Sequence, residues 1–330
     1  MIVTEDNSPL PAPATKVPGT QGELLLNVSM SGYTSWRAGG RADRLYTPAD
    51  LTDLCAFLKT LDVREPVHFI GLGSNLLVRD GGLRGTVIHL HGALKRIDLE
   101  QRRSNGNDAA RPFGVIFAEA GVASPKVASF AASHDLVGGE FLAGIPGTVG
   151  GALAMNAGCY GHETWEFVSQ VLTVNRCGDI NRRSPKEYRV SYRHVEPDAE
   201  LGDKLASTCN EWFVGAWFMF PRGDGTQARL DIKQLLEKRI ASQPLNLPNA
   251  GSVFRNPPGD FAARLIEASG MKGEKLGGAQ VSEKHANFIV NLGDASATDI
   301  EMLIERVRTQ VEEKTGIKLQ REVHILGERP

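Results

Sequence analysis

Two glycine loops and three isolated polar side chains are the residues of this chain best suited to chemistry. The first loop is GLGSNLL, residues 71–77, behind a strand-like run from Val67 to Gly71. Glycine lets main-chain amides approach a phosphate closely, because no Cβ intervenes. The loop departs from the Rossmann dinucleotide fingerprint, since Leu76 stands where the third glycine belongs. It also lacks the Lys-Ser/Thr pair of a P-loop. The second loop, GIPGTVGG at 144–151, fails both tests as well. Either loop alone reads more simply as a tight turn. Two in one chain, each behind an apolar segment, point toward a dinucleotide.

The polar side chains are Arg193, Ser252 and Glu322. A guanidinium can grip a carboxylate through two parallel hydrogen bonds and stays charged throughout. Arg193 by itself reads as a surface arginine beside an aromatic, Tyr192. Ser252 follows Gly251, a setting in which serine is usually a turn or a cap. Glu322 lies on the polar side of an alternating run, where a surface charge is the ordinary case. Only a wider pattern can give these three a role.

Other chemistries find less support. The eight histidines show no metal-ligand spacing, and His89 and His91, alternating on one strand face, lack a Cys or carboxylate partner. No metal is expected. Cys55, Cys159, Cys177 and Cys209 form no CxxC, so reduced thiols in a cytoplasmic protein are the expectation. The net charge is −2 and no run of five or six like charges occurs, which argues against nucleic acid as a partner. The densest basic run, Arg182, Arg183, Lys186 and Arg189, is broken by Ser184, Pro185 and Glu187 and reads as a solvated turn. No apolar run approaches a membrane span. The first 24 residues are polar, rich in Pro and Thr, and unlike a signal peptide; they read as a disordered arm.

A length of 330 residues suggests two or three domains, and the elements fall into three stretches. In the first, a helix is expected over Leu51–Leu61, with Leu51, Leu54, Cys55, Leu58 and Leu61 on one stripe and Asp50 or Thr47 as cap. A strand over Val87–Leu90 follows. The second stretch has strands over Val115–Ala120, Val168–Asn175 and Trp212–Phe220, a helix over Lys126–Ser133, and an exposed loop over Ser104–Asp108. The third has a basic amphipathic helix over Leu230–Ile240 and a helix over Ala262–Ser269 ended by Gly270. A further helix is capped by Ser296 or Thr298 and stopped by Gly316, with Ile300, Leu303, Ile304, Val307 and Val311 on one face. A last strand over Ile317–Leu326 turns Glu322 and His324 away from Leu319, Val323 and Ile325. The class is α+β.

In order and spacing, TSWRAGG (34–40), GLGSNLLVRDGG (71–82) and GIPGTVGGALAMNAGCYG (144–161) resemble the FAD-binding fold shared with vanillyl-alcohol oxidase. Further on, EYRVSYRHV (187–195), NAGSVFRNP (249–257), GGAQVSEKHANFIVN (277–291) and LQREVHILG (319–327) resemble the enolpyruvoylglucosamine reductases. The resemblance covers residues 27 to 327, and its motifs are specific in combination. It implies two FAD-binding subdomains, 25–90 and 91–222, then a substrate domain, 223–330, whose last strand (317–327) returns to the active site.

The resemblance also implies roles. Gly71, Gly73, Ser74, Asn75 and Leu76 would cradle the pyrophosphate of a non-covalently bound FAD. Gly144, Ile145, Pro146, Gly147, Thr148, Gly150 and Gly151, with Asn156 and Gly158, would line pyrophosphate and flavin. The implied activity is NADPH-dependent reduction of UDP-N-acetylglucosamine enolpyruvate to UDP-N-acetylmuramate, a peptidoglycan precursor. NADPH reduces the flavin, and the flavin passes hydride to the enol ether. Arg193 would hold the carboxylate as an enolate forms, Ser252 would protonate the α-carbon, and Glu322 would polarise the enol ether. Tyr192, Asn256 and Arg239 (or Lys238) would contact substrate, His324 would face flavin or solvent, and Cys159 would pack at the cofactor edge. Some members carry an extra tyrosine-bearing loop. No tyrosine occurs between Arg193 and Ser252, which matches the subgroup without it. An oxidase of the same fold is the alternative, although residues 71–85 contain no histidine for the flavin attachment common there. A monomer is expected.

Overall fold

The computed structural model describes residues 15–100, 112–207 and 210–330. The expected Ser104–Asp108 loop and most of the expected arm lie outside the described residues. The first unit holds β1 (Glu23–Ser29), β2 (Arg41–Thr47), α1 (Leu51–Leu58), β3 (Val67–Ile70), β4 (Leu76–Val78) and β5 (Leu83–His89). Its sheet order is β1-β2-β5-β3, antiparallel at the first pair and parallel at the other two. Asp50 caps α1 by accepting from the Asp53 N–H at 2.8 Å. The helix ends at Leu58, before the expected Leu61, in a turn in which Thr60 and Leu61 N–H groups donate to Phe57 and Leu58 carbonyls.

Of the residues 1–24 expected to form a disordered arm, the described residues 15–24 are packed on the body. Thr15 bridges to Leu24, and Leu24 is buried against Tyr46 and α1. The Gln21 N–H donates to Asp53 Oδ1 at 2.6 Å, and the Tyr46 hydroxyl donates to Asp53 Oδ2 at 2.7 Å. A buried carboxylate needs such donors, and it recruits the polar segment as one of them.

The second unit contains β6 (Ile97–Leu99), β7 (Phe113–Glu119), α2 (Ser124–Ser133), α3 (Val149–Ala154) and the short ribbon β8 (Gly158–Cys159) and β9 (His162–Glu163). It continues through β10 (Val168–Asn175), β11 (Ile180–Arg183), the hairpin β12 (Tyr188–Ser191) and β13 (His194–Pro197), α4 (Ala199–Ser207) and β14 (Glu211–Pro221). Five strands form an antiparallel sheet, β11-β10-β14-β7-β6. The next helix, α5 (Gly225–Ser242), is longer than the expected 230–240 and buries Ala228 and Ile232 in this unit's core beside α2. Leu230 and Ile240, the bounds of the expected helix, are exposed.

The C-terminal unit holds α6 (Ala262–Ala268), the small sheet β15 (Lys275–Leu276), β16 (Ala279–Val281) and β17 (Ile289–Asn291), then α7 (Ala297–Thr315) and β18 (His324–Leu326). Ser296 and Asp299 form a capping box on α7, and Gly316 ends the helix at φ 72°, the left-handed region that glycine enters freely. The expected stripe on α7 is fully buried. First-unit residues enter this core: Trp36, Ala38 and Leu77 pack within it. Asp80 receives the N–H groups of Ala297 and Thr298 at 3.0 and 2.8 Å, and Arg79 forks onto Glu301 at 2.8 and 2.9 Å.

The expected ten-residue last strand is shorter. Only His324–Leu326 form it, parallel to β4. Upstream, the chain pairs instead with residues 253–255: Glu322 N–H donates to the Val253 carbonyl at 2.8 Å and Arg255 N–H to the Gln320 carbonyl at 2.9 Å. The segment changes partners halfway, so no single ladder runs its length.

Candidate active site

The two glycine loops meet across a cavity of about 450 Å³. A Cβ on Gly147 would lie 3.1 Å from Ser74 Oγ, and one on Gly71 would strike the Thr148 hydroxyl. Gly73 has φ 69°, and a side chain there would meet the Tyr33 carbonyl. The close approach of the loops therefore requires glycine. The main-chain N–H groups of Leu72, Gly73, Ser74 and Asn75 donate to no described residue, and all four residues line the cavity. Successive unpaired amides make an anion cradle. Residues 71–76 and 144–148 line one wall. These donors fit the diphosphate of a dinucleotide such as FAD.

The opposite wall is polar and assembled from distant segments. The partner switch in the C-terminal segment places Glu322 between the Ser252 loop and the pyrophosphate-type loop. Its carbonyl accepts from Asn75 Nδ2 at 3.2 Å, and the His324 N–H donates to the Asn75 carbonyl at 3.0 Å. Ser252 precedes the residue that pairs with Glu322 and faces the cavity. Its loop is fixed by Asn287, whose Oδ1 accepts from the Phe254 N–H at 3.0 Å while its Nδ2 donates to the Phe254 carbonyl at 2.8 Å.

Arg193 lies at the tip of the β12–β13 hairpin with φ 54°. Its Nε donates to Glu322 Oε1 at 2.7 Å, Nη1 to the Asn156 carbonyl at 3.3 Å and Nη2 to the Gly158 carbonyl at 2.9 Å. A guanidinium has five N–H groups, so one remains on each terminal nitrogen. Burial pushes the Glu322 carboxyl above its ordinary range, and the Arg193 guanidinium opposes that rise. Across the cavity, Arg239 donates its Nε to Gln243 Oε1 at 2.9 Å and has no acidic partner among the described residues. Burial lowers its pKa, and burial also raises that of the Cys159 thiol beside it.

Most of the sequence-derived positions thus gather in one place: residues 71–76, 144–148, Gly151, Gly158, Arg193, Arg239, Ser252 and Glu322 all line the cavity. Four others do not. Gly150 donates its N–H to the Ala120 carbonyl at 2.9 Å and packs α3 against the end of β7. Asn156 is buried; its carbonyl receives Arg193, and its side chain donates to Glu163 Oε2 at 2.6 Å and the Ser191 carbonyl at 3.2 Å. The Tyr192 ring is exposed and lies 5.2 Å from the Arg193 guanidinium carbon. Asn256 is exposed and accepts the Ala262 N–H at 3.0 Å, at the start of α6.

The FAD binding domain family matches residues 42–183. The C-terminal domain family of UDP-N-acetylenolpyruvoylglucosamine reductase matches residues 243–326. The reductase of Thiobacillus denitrificans is 59% identical over 314 residues, covering 94% of each chain. The chain belongs to the UDP-N-acetylenolpyruvoylglucosamine reductase family. The Legionella pneumophila enzyme is 51% identical over 316 residues, covering 96% of each chain. The crystal structure of the Thermus caldophilus reductase superposes with a TM-score of 0.72 at 29% identity, covering 94% of this chain and 99% of that one. The fold is accordingly the two-subdomain FAD-binding fold with a C-terminal α+β domain.

The sequence reading assigned no role to Gln243, Met155 or Arg255. Gln243 orients Arg239, and Met155 Sδ lies 2.9 Å from His324 Nε2. Arg255 sat inside a quoted motif, but its partner is 62 residues away in the chain. No local spacing announces such a contact.

Proposed function

We propose that this protein reduces the enolpyruvyl ether of UDP-N-acetylglucosamine to UDP-N-acetylmuramate, with FAD bound and NADPH as reductant, as a cytoplasmic monomer. The observation that carries this reading is the convergence of Arg193, Ser252 and Glu322 on the cavity walled by both glycine loops. When bound, FAD supplies the capacity to take hydride from NADPH and return it to the enol ether. The residues of the chain supply the rest.

Reduction places negative charge on the substrate carboxylate and its α-carbon, then requires a proton at that carbon. Arg193, with one N–H left on each terminal nitrogen, offers two donors to the carboxylate and a fixed positive charge. The carbonyls of Asn156 and Gly158 hold the guanidinium still, so little reorganisation accompanies the charge. Glu322 keeps Arg193 oriented and presents a carboxylate to the double bond. Ser252 carries the hydroxyl that protonates the α-carbon. Arg239, a half-buried cation without an acidic partner among the described residues, is suited to the substrate diphosphate.

Absorbance of the purified protein tests this directly. The protein carries flavin absorbance, NADPH bleaches it without oxygen, and UDP-N-acetylglucosamine enolpyruvate restores it while UDP-N-acetylmuramate appears. Bleached protein that recovers with oxygen but not with the enolpyruvyl nucleotide overturns the reading.

A further inference from the structure

We propose that Arg255 is a positioning residue for the Arg193–Glu322 pair: it holds the main chain of Arg193 from the C-terminal unit and places a second positive charge beside Glu322. The inference rests on the reductase reading and extends it to a residue without an assigned role.

The first support is geometric. Arg193 adopts φ 54°, a conformation that L residues with side chains enter reluctantly. Its guanidinium is tied to Glu322 and to two carbonyls, but those bonds do not fix its peptide. Arg255 Nη2 does so, donating to the Arg193 carbonyl at 3.1 Å. Arg255 is itself anchored by its main chain, whose N–H donates to the Gln320 carbonyl at 2.9 Å, two residues before Glu322. One side chain therefore ties the hairpin tip of the second unit to the segment that presents Glu322.

The second support is the setting of its charge. Arg255 forms no ion pair among the described residues, and its Nε is buried without a partner there. An arginine placed only for stability would normally be matched by a carboxylate. Here the nearby carboxylate is Glu322, already bonded to Arg193. Burial raises the Glu322 pKa, and Arg193, then Arg255, push it back. The other groups facing this segment are accounted for. On its own strand, burial and then Arg255 and Arg321 push the His324 imidazole below its ordinary range. Arg308 of α7 and Lys318 line the far side with Arg321, and Glu305 of α7 pairs with both arginines, at 3.9 Å to Arg321. Ser252 and Asn75 contribute no charge. Arg255 is thus the second cation that opposes the rise burial gives the Glu322 carboxyl, and the carboxylate is the form that orients Arg193.

Two variants test this, Arg255→Gln and Arg255→Lys. In R255Q, NADPH should bleach the flavin within about twofold of the normal rate. Reoxidation by the enolpyruvyl nucleotide should slow about tenfold or more, and its acid limb should move up by about half a pH unit or more. R255K keeps the charge and should restore the acid limb while recovering only part of the rate. A readout independent of turnover is the carboxyl titration of Glu322, followed by infrared difference spectroscopy and assigned with E322Q. In R255Q its midpoint should rise. An unmoved carboxyl midpoint overturns the proposal, whatever the substrate proves to be. Equal slowing of both half-reactions also overturns it, since that marks a general structural role. Should R255Q fail to retain flavin, R255K decides: a wild-type midpoint with slowed reoxidation supports the proposal, and an unchanged reoxidation rate overturns it.

Discussion

Replacing Ser252 with alanine separates the two half-reactions. Among the described residues the Ser252 hydroxyl forms no hydrogen bond, so its loss orphans no buried donor. The loop's shape is set by main-chain contacts: Val253 N–H to the Asn287 carbonyl at 2.9 Å, Val253 carbonyl to Glu322 N–H at 2.8 Å, and Gly251 N–H to Asn249 Oδ1 at 3.0 Å. All three survive the change, and the stability cost should stay within about 0.5 kcal/mol. The chemical cost is larger. A positioned general acid contributes roughly 10²–10⁴ in rate, or about 2.7–5.4 kcal/mol of barrier. Hydride transfer from NADPH needs alignment but no proton from serine. In stopped-flow absorbance, the variant should bleach with NADPH at nearly the normal rate. It should reoxidise with UDP-N-acetylglucosamine enolpyruvate at least about a hundredfold more slowly. Equal slowing of both steps would make Ser252 structural. If neither step slows, the donor is another group, and Glu322 or a water held by Arg193 takes its place.

Other perturbations test the frame around the site. Deleting the chain through Leu24 removes a buried leucine worth about 1.5–3 kcal/mol and the Gln21 donor to Asp53; calorimetry should show a fall of about 5 °C or more, and an unchanged melting temperature would show that the segment carries no stability. Asp80→Ala strips α7 of two main-chain partners and the Thr298 hydroxyl. It should cost about 1–3 kcal/mol in urea unfolding, and a loss under about 0.5 kcal/mol would refute the clamp. His89 is held neutral by burial, with its pKa pushed down from 6.5 to about 4. Its unfolded form takes a proton first, so the stability it contributes is present above 6.5 and lost as pH falls toward about 4. Discounted for partial exposure, the loss is about 2 kcal/mol, and His89→Gln should flatten that part of the stability profile; an identical slope in the variant would exclude His89 as its source.

The features legible in the sequence were those with local causes. The α7 stripe, its Ser296 cap and its Gly316 stop all depend on residues within one helix, and each appears as read. The Asp50 cap on α1 is of the same kind. The loops at 71–77 and 144–151 were visible because close backbone approach excludes every residue but glycine. What escaped depends on partners distant in the chain. Nothing in residues 15–24 shows that Asp53 needs a donor. Nothing in the alternation of residues 317–326 shows that the first half pairs with residues 253–255 and the second with β4. Side-chain phase survived that switch, so Val323 is buried and Glu322 faces the cavity. Strand length did not survive, because length is set by the partner.

The partner switch also links architecture to chemistry. Glu322 and Val323 are the last residues paired with the Ser252 loop, and His324 is the first paired with β4. The carboxylate is therefore placed by two units at once, while Arg193 reaches it from a hairpin of the second unit. Any shift of the C-terminal unit against the FAD-binding subdomains must move Ser252 and Glu322 relative to the glycine loops. The Asp80 cap and the Arg79–Glu301 fork oppose such a shift at the far end of α7 and β4. A loosened clamp should consequently slow substrate reduction even though Asp80 touches no part of the cavity. In Asp80→Asn, one carboxylate oxygen is replaced by an amide donor facing the Thr298 N–H, which weakens the clamp without emptying it. The expected signature is a fall in the reoxidation rate of severalfold with flavin content and NADPH bleaching intact. Unchanged reoxidation in a variant that has lost stability would show that the clamp serves folding alone.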